Sequence, residues 1–513
     1  MEEKTIIALE IGSSKIKGAV GTVDPTSGAL SVKAVEEERI SDIVRYGCIR
    51  NVVETAAAVR NVVSRLEQRE APRKIERVYL SIGGRSLSSE CVDIERRFAT
   101  ETEITKEIIN DITEEAINRP LSDRIVIKAL PRELRVDNAP TPRPVGMYGQ
   151  LITARLNLVS CRNQLFKNLT EVIEGRLGLQ VVDMFVRPLA EADLVLMSDE
   201  RRLGCMLVDL GSETTTVAIY KDGVLVHLAV LPMGSRNITR DITSLNYLEE
   251  RAEELKIAFG NAVPGAEQHS LRPADSTDMT AVNNYISARA SEILLNVAEQ
   301  IKYAGLTPDK LPDGIILVGR GSRLAGLNTR LEQILPGMKV RMGHPDNNVH
   351  ILDGRIQSSD AVDVIAILSE AARTGAKECL SPQPTLPRQT VQQQPSQQTY
   401  QQTYQQTVPA SQQPEPIRPQ QPQQPQGYQY PHRMNNQPVQ QQPAQQPAAQ
   451  PAAQPVTPTP ATGQKPAPVP AHAGTTVTPQ PSKPSVIGAW MERIKGKVAN
   501  MLTDNMYEET DEE

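Results

Sequence analysis

Apolar and polar positions fall into two short arrays of the same form, far apart in the chain. Residues 5–9 are an apolar run closing on Glu10-Ile11-Gly12-Ser13-Ser14-Lys15; a second run covers 16–23, a turn 24–28 and a third run 30–35. Residues 205–208 begin the repeat, which closes on Asp209-Leu210-Gly211-Ser212-Glu213-Thr214, continues over 215–221, turns at Asp222-Gly223 and runs on to Leu231. Short apolar runs punctuated by Gly- and Asp-bearing turns predict antiparallel β-meanders. Two meanders sharing an acid-x-Gly-Ser junction predict a duplicated α/β fold.

The intervening pattern supplies helices and further strands. Val52, Val53, Ala56, Val59, Val62, Val63 and Leu66 recur at helical spacing and predict an amphipathic helix over 51–68. A strand at 77–82 is closed by Gly83-Gly84. Strands at 122–136 and 149–159, flanking a Pro-rich loop at 140–144, predict a small inserted subdomain. A helix at 163–177, a strand at 179–185 and a helix at 188–197 lead into the second meander. Beyond it come helical stretches at 238–260 and 282–303, separated by a polar loop. An apolar strand near 314–318 then enters the turn Gly319-Arg320-Gly321-Ser322. Such a turn can approach a flat ligand such as adenine, and is equally an ordinary strand-to-helix connection.

The last apolar pattern lies at the end of the chain. Val486, Ile487, Trp490, Met491, Ile494, Val498, Met501 and Leu502 form one helical face, with Glu492, Arg493, Lys495, Lys497 and Asn500 elsewhere. A Trp on the apolar face and basic flanks suit a helix lying in a membrane interface, with Ile487, Trp490, Met491, Ile494, Lys495, Lys497 and Val498 as the contact residues. Docking on a partner or on the protein's own surface is the alternative. The acidic residues 504–513 would be repelled by anionic lipid, so attachment is expected to be modest.

Composition changes this picture in one place. Residues 381–483 consist of Gln, Pro, Ala and Thr with almost no large apolar side chains, so a disordered linker is expected there. The five cysteines, at 48, 91, 161, 205 and 379, lack metal-type spacing and predict reduced thiols in a cytosolic protein. The start of the chain has no signal-peptide pattern, and no apolar run reaches the roughly 18–20 residues that span a bilayer. A net charge of −6 gives no reason to expect a nucleic-acid partner.

The paired turns carry the candidate chemistry. Glycine lets the backbone approach a phosphate chain, Ser and Thr add donors, and a carboxylate ending a buried strand can hold Mg²⁺ or its waters. Singly, each turn is a tight hairpin. Facing each other, the two would clamp a triphosphate.

The order of these motifs resembles the actin-like ATPases, and within them the FtsA family of bacterial cell-division proteins, over about residues 5–380 and again at the terminal helix. Leu9-Glu10-Ile11-Gly12-Ser13-Ser14-Lys15 is similar to the first phosphate motif, and Val208-Asp209-Leu210-Gly211 with Thr214 to the second. Leu317-Val318-Gly319 with the glycines up to Gly326 is similar to the adenosine motif. Ala252-Glu253-Glu254-Leu255-Lys256 resembles the helix whose Glu reaches the ribose and whose Lys borders the adenine. Pro144-Val145-Gly146-Met147 and Leu158-Val159-Ser160-Cys161 resemble that family's subdomain 1C.

The resemblance implies a duplicated, ribonuclease H-like α/β fold with an inserted SHS2-like subdomain 1C and a helical subdomain 2B. Subdomain 1A would comprise 1–82, 162–203 and 353–380, with 1C at 83–161. Subdomain 2A would comprise 204–236 and 306–352, with 2B at 237–305; the linker at 381–483, an amphipathic helix at 484–503 and the tail at 504–513 follow. It implies ATP and Mg²⁺ bound by Gly12, Ser13, Ser14, Lys15, Gly211, Ser212, Thr214, Glu253, Lys256, Gly319, Gly321 and Ser322. Asp209 would sit on the metal, with Glu10 and Asp209 as catalytic candidates. It further implies an FtsZ tail docking on subdomain 2B, where Arg289 and Lys302 are the candidate basic contacts, stacking into filaments through 1C, other divisome partners, and a place on the cytoplasmic face of the membrane at the septum. Three departures bear on nucleotide chemistry: Glu213 and Arg320 stand where glycine is usual, and Asp363 where a small residue is. A carboxylate at 213 is unfavourable beside a triphosphate unless it points away or meets Mg²⁺, so turnover is expected to be slow or undetectable. The rivals are a sugar or acetate kinase of the same fold, for which no substrate base is evident, and a pilus-assembly ATP-binding protein, which usually lacks a lipid-binding tail.

Overall fold

The computed structural model describes residues 3–265, 273, 277–346 and 348–382. The terminal helix, the acidic tail and all but the first two residues of the expected linker lie outside the described residues.

The first meander is β1 (Lys4–Ile11), β2 (Lys15–Val23) and β3 (Leu30–Arg39). A two-residue-strand hairpin, β4 (Val44–Arg45) and β5 (Cys48–Ile49), precedes helix α1 (Val52–Arg69). Asn51 caps α1 by accepting from the N–H groups of Val53 and Glu54, and its 3.6-residue apolar stripe packs on the meander. Strand β6 (Arg77–Ile82) follows.

The insert holds a strand and a helix besides the two expected strands. It comprises β7 (Ser88–Glu103), α2 (Lys106–Ile117), β8 (Arg124–Val136), β9 (Ala139–Pro140) and β10 (Tyr148–Arg162). They form a four-stranded sheet in the order β7-β10-β8-β9, against which α2 buries Ile109, Ile112, Ala116 and Ile117. Arg124 staples its base, donating to the Ser86 carbonyl at 2.8 Å, the Ser160 carbonyl at 2.9 Å, the Ser160 hydroxyl at 3.0 Å and the Ser88 hydroxyl.

Helix α3 (Asn163–Thr170) continues as a wider π-helical turn to Arg176, and β11 (Gln180–Val186), α4 (Arg187–Val195) and α5 (Ser198–Leu203) lead to the second meander. That meander is β12 (Cys205–Leu210), β13 (Thr215–Lys221) and β14 (Val224–Leu231). The helical stretch expected over 238–260 is two helices, α6 (Ser235–Thr243) and α7 (Glu249–Phe259), because the intervening Asn246 adopts the left-handed conformation. Then come α8 (Met279–Tyr303), β15 (Ile315–Val318), α9 (Leu327–Ile334), β16 (Val340–Met342), β17 (Val349–Ile351) and α10 (Val362–Arg373).

The duplication is visible in strand order. One sheet runs β11-β6-β1-β2-β3-β17 and the other β14-β13-β12-β15-β16, so each is an antiparallel meander extended by parallel strands beside its first member. Helix α10 is buried on almost every side between the first sheet and α4, which explains its nearly unbroken apolar sequence. The insert touches both lobes: Ser89 exchanges hydrogen bonds with Leu228 of β14 at 3.1 and 3.3 Å, and Asn157 donates to the Leu225 carbonyl.

Candidate nucleotide cleft

Both acid-bearing strands end in the same turn. The Gly12 N–H donates to the Lys15 carbonyl at 3.0 Å, and the Gly211 N–H to the Thr214 carbonyl at 2.9 Å. The tip residues Ser13, Ser14, Ser212 and Glu213 remain outside those bonds. A Cβ on Gly12 would stand 3.1 and 3.3 Å from the Glu10 carboxylate oxygens, and one on Gly211 2.9 Å from the Thr214 carbonyl. Glycine is thus what lets each turn fold back on itself, the first of them beside its acid.

The third glycine turn stacks on the second. Gly319 has a left-handed φ of 81°, and a Cβ there would collide with Asp209 and lie 2.6 Å from the Leu210 carbonyl. Ser322 is buried and closes this turn by donating to the Gly319 carbonyl at 2.6 Å. The start of α6 is tied to the second turn by Ser235 N–H to Gly211 carbonyl at 3.0 Å and Arg236 N–H to Ser212 carbonyl at 2.8 Å. Lys256 reaches back to it, donating to the Ser235 carbonyl at 3.1 Å, Thr239 at 2.9 Å and Glu253 at 2.6 Å. Burial lowers the Lys256 ammonium from its ordinary value, with Glu253 opposing. The predicted residues of the two phosphate turns, the adenosine turn and the Glu253–Lys256 pair are therefore drawn together where the two sheets meet.

The floor of this cleft is a buried charge network that sequence reasoning did not assemble. Glu10 and Lys17 face each other across the β1–β2 ladder, and Lys17 donates to Asp363 of α10 at 2.6 Å and to the Asp360 carbonyl at 2.8 Å. In the second sheet the position opposite Asp209 is Thr216, which carries no charge. Arg187, the first residue of α4, lies 2.8 Å from Asp209, 3.5 Å from Glu10 and 3.7 Å from Glu191. The Asp209 contact is ionic without being an aligned hydrogen bond, and Asp209 Oδ2, Glu191 Oε2 and Arg187 Nε all lack one. Burial, then the Asp363 charge, push the Glu10 carboxyl up to about 7 against the pull of Arg187 and Lys17. Burial likewise raises Asp209 and, more strongly, Glu191. Burial raises Asp363, but Lys17, then Arg187 and the Val364 N–H, together hold it below its ordinary value. The residue replacing a small side chain in α10 is therefore one half of an internal ion pair.

Glu213 is held by cations from both lobes. Its carboxylate is 1% exposed, accepting from the Tyr46 N–H at 2.7 Å and pairing with Arg45 at 2.8 Å, Arg240 at 3.4 Å and Arg236 at 3.8 Å. The added negative charge is neutralised in place. Arg320 likewise turns across the cleft to Glu37 at 3.3 Å and Asp360 at 3.4 Å, with Arg323 also on Asp360 and Lys15 on Glu37. Lys15 is thus already engaged.

These residues fit a triphosphate with a divalent ion. Glycine cradles flank the space, carboxylates outnumber cations on its floor, and buried polar atoms lack hydrogen bonds. Among the described residues no cluster of three or more His, Cys, Asp or Glu could ligate a metal alone; Mg²⁺ here would be held by Asp209 with waters and phosphate oxygens, the mixed shell it favours. A groove of about 1730 Å³ between β8, α4, α5 and β16 contains none of the predicted nucleotide residues.

Comparison with known proteins decides the family. Residues 206–366 match the model of the cell division protein FtsA, and residues 84–160 that of the SHS2 domain inserted in FtsA. The FtsA of Porphyromonas gingivalis is 30% identical over 368 residues, 68% of this chain and 76% of that protein. The chain belongs to the FtsA family of cell-division proteins. The FtsA of Neisseria meningitidis is also 30% identical, over 72% of this chain and 91% of its own. Among solved structures, the PilM–PilN type IV pilus biogenesis complex contains a chain matched at a TM-score of 0.52 and 18% identity, covering 72% of this chain and 98% of that one. That likeness is one of fold, and the fold is actin-like.

In this FtsA-family chain the two basic residues proposed for partner contact do not form one patch. Arg289 is bidentate to Asp241 at 2.6 and 3.1 Å and also pairs with Glu292; Lys302 pairs with Glu299. Thirteen residues apart on α8, they are separated by about 20 Å and about 140° around the axis. The exposed apolar side chains Tyr285, Leu295 and Tyr303 instead fall within about 80° of one another on that helix. Leu248 and Ile257 are exposed on or beside α7.

Proposed function

We propose that this chain binds ATP with Mg²⁺ in the cleft between its two sheets, turns it over slowly if at all, and tethers FtsZ filaments to the cytoplasmic face of the membrane at the division septum. The observation that carries the nucleotide reading is the pair of matching acid-x-Gly-Ser turns, with Arg187 between their acids Glu10 and Asp209. Gly12, Ser13, Ser14, Gly211, Ser212 and Thr214 take the phosphates, Gly319, Gly321, Ser322, Glu253 and Lys256 the nucleoside, and Asp209 the metal. Lys15 joins them only by leaving Glu37. Glu10 and Asp209 remain the candidates for positioning an attacking water.

Family membership supports the division role, and the exposed stripe on α8 supports docking of a partner's tail on the helical region. The amphipathic pattern around Trp490 supports peripheral attachment, and no helix among the described residues is long and apolar enough to cross a membrane. Filament stacking through the insert, contact with other divisome proteins and the subdomain limits given by resemblance belong to the same proposal. Three measurements test it: calorimetry with MgATP, pull-down of FtsZ with and without its tail peptide, and liposome co-sedimentation of wild type and Trp490→Glu. Trp490→Glu is expected to abolish sedimentation while leaving the other two unchanged. No heat with MgATP removes the nucleotide reading, and equal pull-down without the FtsZ tail removes the docking one.

A further inference from the structure

The residues assigned to the nucleotide lie under cover. Ser13, Thr214, Ser322 and Lys256 are all buried, so a ligand reaches them only when the two lobes part. The contacts that hold the lobes together therefore set how fast it enters and leaves. Those of Asp209 with Arg187 and of Glu213 with Arg45 centre on carboxylates no more than 6% exposed. A third contact is open to water: the side chains of Arg320, Arg323 and Glu37 are 41–43% exposed. Exposed ion pairs are weak singly and screened by salt, so this contact is the one that yields first.

Its place is set by the first sheet. Glu10, Lys17 and Glu37 stand directly opposite one another across β1, β2 and β3, so they share a face. Glu37 thus lies two strand spacings, about 10 Å, from the acid of the first phosphate turn. Arg320 and Arg323 come from the turn after β15, which begins at Gly319 beside Asp209. Arg320 lies 3.3 Å from Glu37 and 3.4 Å from Asp360; Arg323 also pairs with Asp360 and donates to Gln357 Oε1 at 2.7 Å. All three acceptors belong to the first lobe. The Asp360 carbonyl accepts from Lys17 at 2.8 Å, so the residue that takes both arginines is fastened to the same row of side chains. Glu37 is shared with Lys15. A triphosphate that draws Lys15 away leaves Glu37 to Arg320, and the contact survives loading.

We propose that the Arg320–Arg323 turn is an exchange latch: with Glu37 and Asp360 it holds the lobes shut over the phosphate turns, and a nucleoside triphosphate enters and leaves only as these pairs part. The inference rests on the nucleotide reading above. It gives the arginine at 320 a role in the rate of exchange and none in contacting the ligand.

The test is stopped-flow fluorescence on the full chain with a mant-labelled ATP and Mg²⁺, following association and then release after a chase with unlabelled ATP. A latch bars entry and exit alike, whereas a residue that only grips the nucleotide slows exit alone. Asp360→Asn removes the carboxylate shared by both arginines and keeps the carbonyl bonded to Lys17. It is expected to speed both rates about tenfold and to leave the dissociation constant within about threefold. Tenfold corresponds to about 1.4 kcal/mol, the worth of two or three exposed pairs. Arg320→Gln is expected to fall between, because Arg323 keeps its hold on Asp360. In wild type both rates are expected to rise between about 50 mM and about 500 mM KCl, and in Asp360→Asn to change less. Circular dichroism checks folding, and the wild-type salt series decides if a variant does not fold. Unchanged rates in a folded Asp360→Asn, faster release without faster association, or wild-type rates indifferent to salt each overturn this inference and leave the nucleotide reading standing. Absence of any binding signal in wild type overturns both.

Discussion

Replacing Glu213 tests its role as a clasp beside the second turn. Its carboxylate accepts the Tyr46 N–H at 2.7 Å and meets Arg45 from the β4–β5 hairpin and Arg236 and Arg240 from α6, so it joins parts of both lobes. Glu213→Gln keeps an oxygen for Tyr46 and removes only the charge. Losing one member of a fully buried pair costs about 3–5 kcal/mol. Here the arginines are 13–34% exposed and can rehydrate, so about 1–2 kcal/mol is expected. Glu213→Ala also leaves the Tyr46 N–H without an acceptor, adding about 1–3 kcal/mol. The assay is urea denaturation of wild type and both variants, with MgATP affinity measured in parallel. The expected order is wild type, Gln, Ala, with Ala lowest by about 3 kcal/mol and no gain in affinity for either. Alanine within about 1 kcal/mol of wild type, or tighter nucleotide binding after the charge is removed, would refute the clasp and restore Glu213 as a repulsive neighbour of the phosphates.

Other outcomes are fixed by particular contacts. Gly319→Ala places a Cβ against Asp209 and strains a left-handed residue; a loss of at least about 1–3 kcal/mol is expected in the same denaturation assay, together with weakened nucleotide binding. Arg289→Ala breaks the bidentate pair with Asp241 and should lower stability by about 0.5–1 kcal/mol, whereas Lys302→Ala, whose partner Glu299 is exposed, should stay within about 0.5 kcal/mol. Equal loss of FtsZ-tail binding in both variants without loss of stability would return them to the partner site. Burial raises Glu200, but the hydrogen bonds from Arg341 at 2.6 and 2.8 Å and from the Met197 N–H at 2.9 Å outweigh it and hold the carboxyl below its ordinary value. Its stabilisation is present above the unfolded-state value and lost as pH falls through the folded one. Wild type should therefore lose more stability than Glu200→Gln between about pH 5 and pH 3; parallel acid limbs would remove the pair from the account.

Much of the fold was legible because burial imposes a period. The meanders, α1 and the strand-to-helix turn at Gly319 announce themselves through alternation, helical spacing and glycine. Strand β7 and helix α2 do not: β7 alternates charged residues such as Glu90, Asp93 and Glu95 with few apolar ones, as an edge strand half open to solvent does. The break between α6 and α7 depends on the backbone at Asn246, which no apolar period reports. The glycines, hydroxyls and acids of the cleft were found because each turn carries its own signature. Arg187, Lys17 and Glu191 were missed because their significance lies in partners 170 or more residues away in several cases, such as Glu10 and Asp363. The available signal was an ionisable residue inside an otherwise apolar buried run, as at Lys17 between Ile16 and Ala19, or set between a buried strand and a proline, as at Arg187.

The stem of the insert has a mechanical consequence. Arg124 locks the strands entering and leaving the first lobe into one rigid root, while Ser89 and Asn157 lean the same sheet on β14 of the second lobe. A body clamped at one lobe and resting on the other works as the pointer of a gauge. Its longest strands, at about 3.3 Å per residue over the 15 residues of β10, give an arm of about 50 Å, so each degree of rotation at the root displaces the far tip by about 0.9 Å. Small closures of the cleft, too slight to alter any one contact there, are enlarged at a distant surface where a neighbouring molecule could feel them.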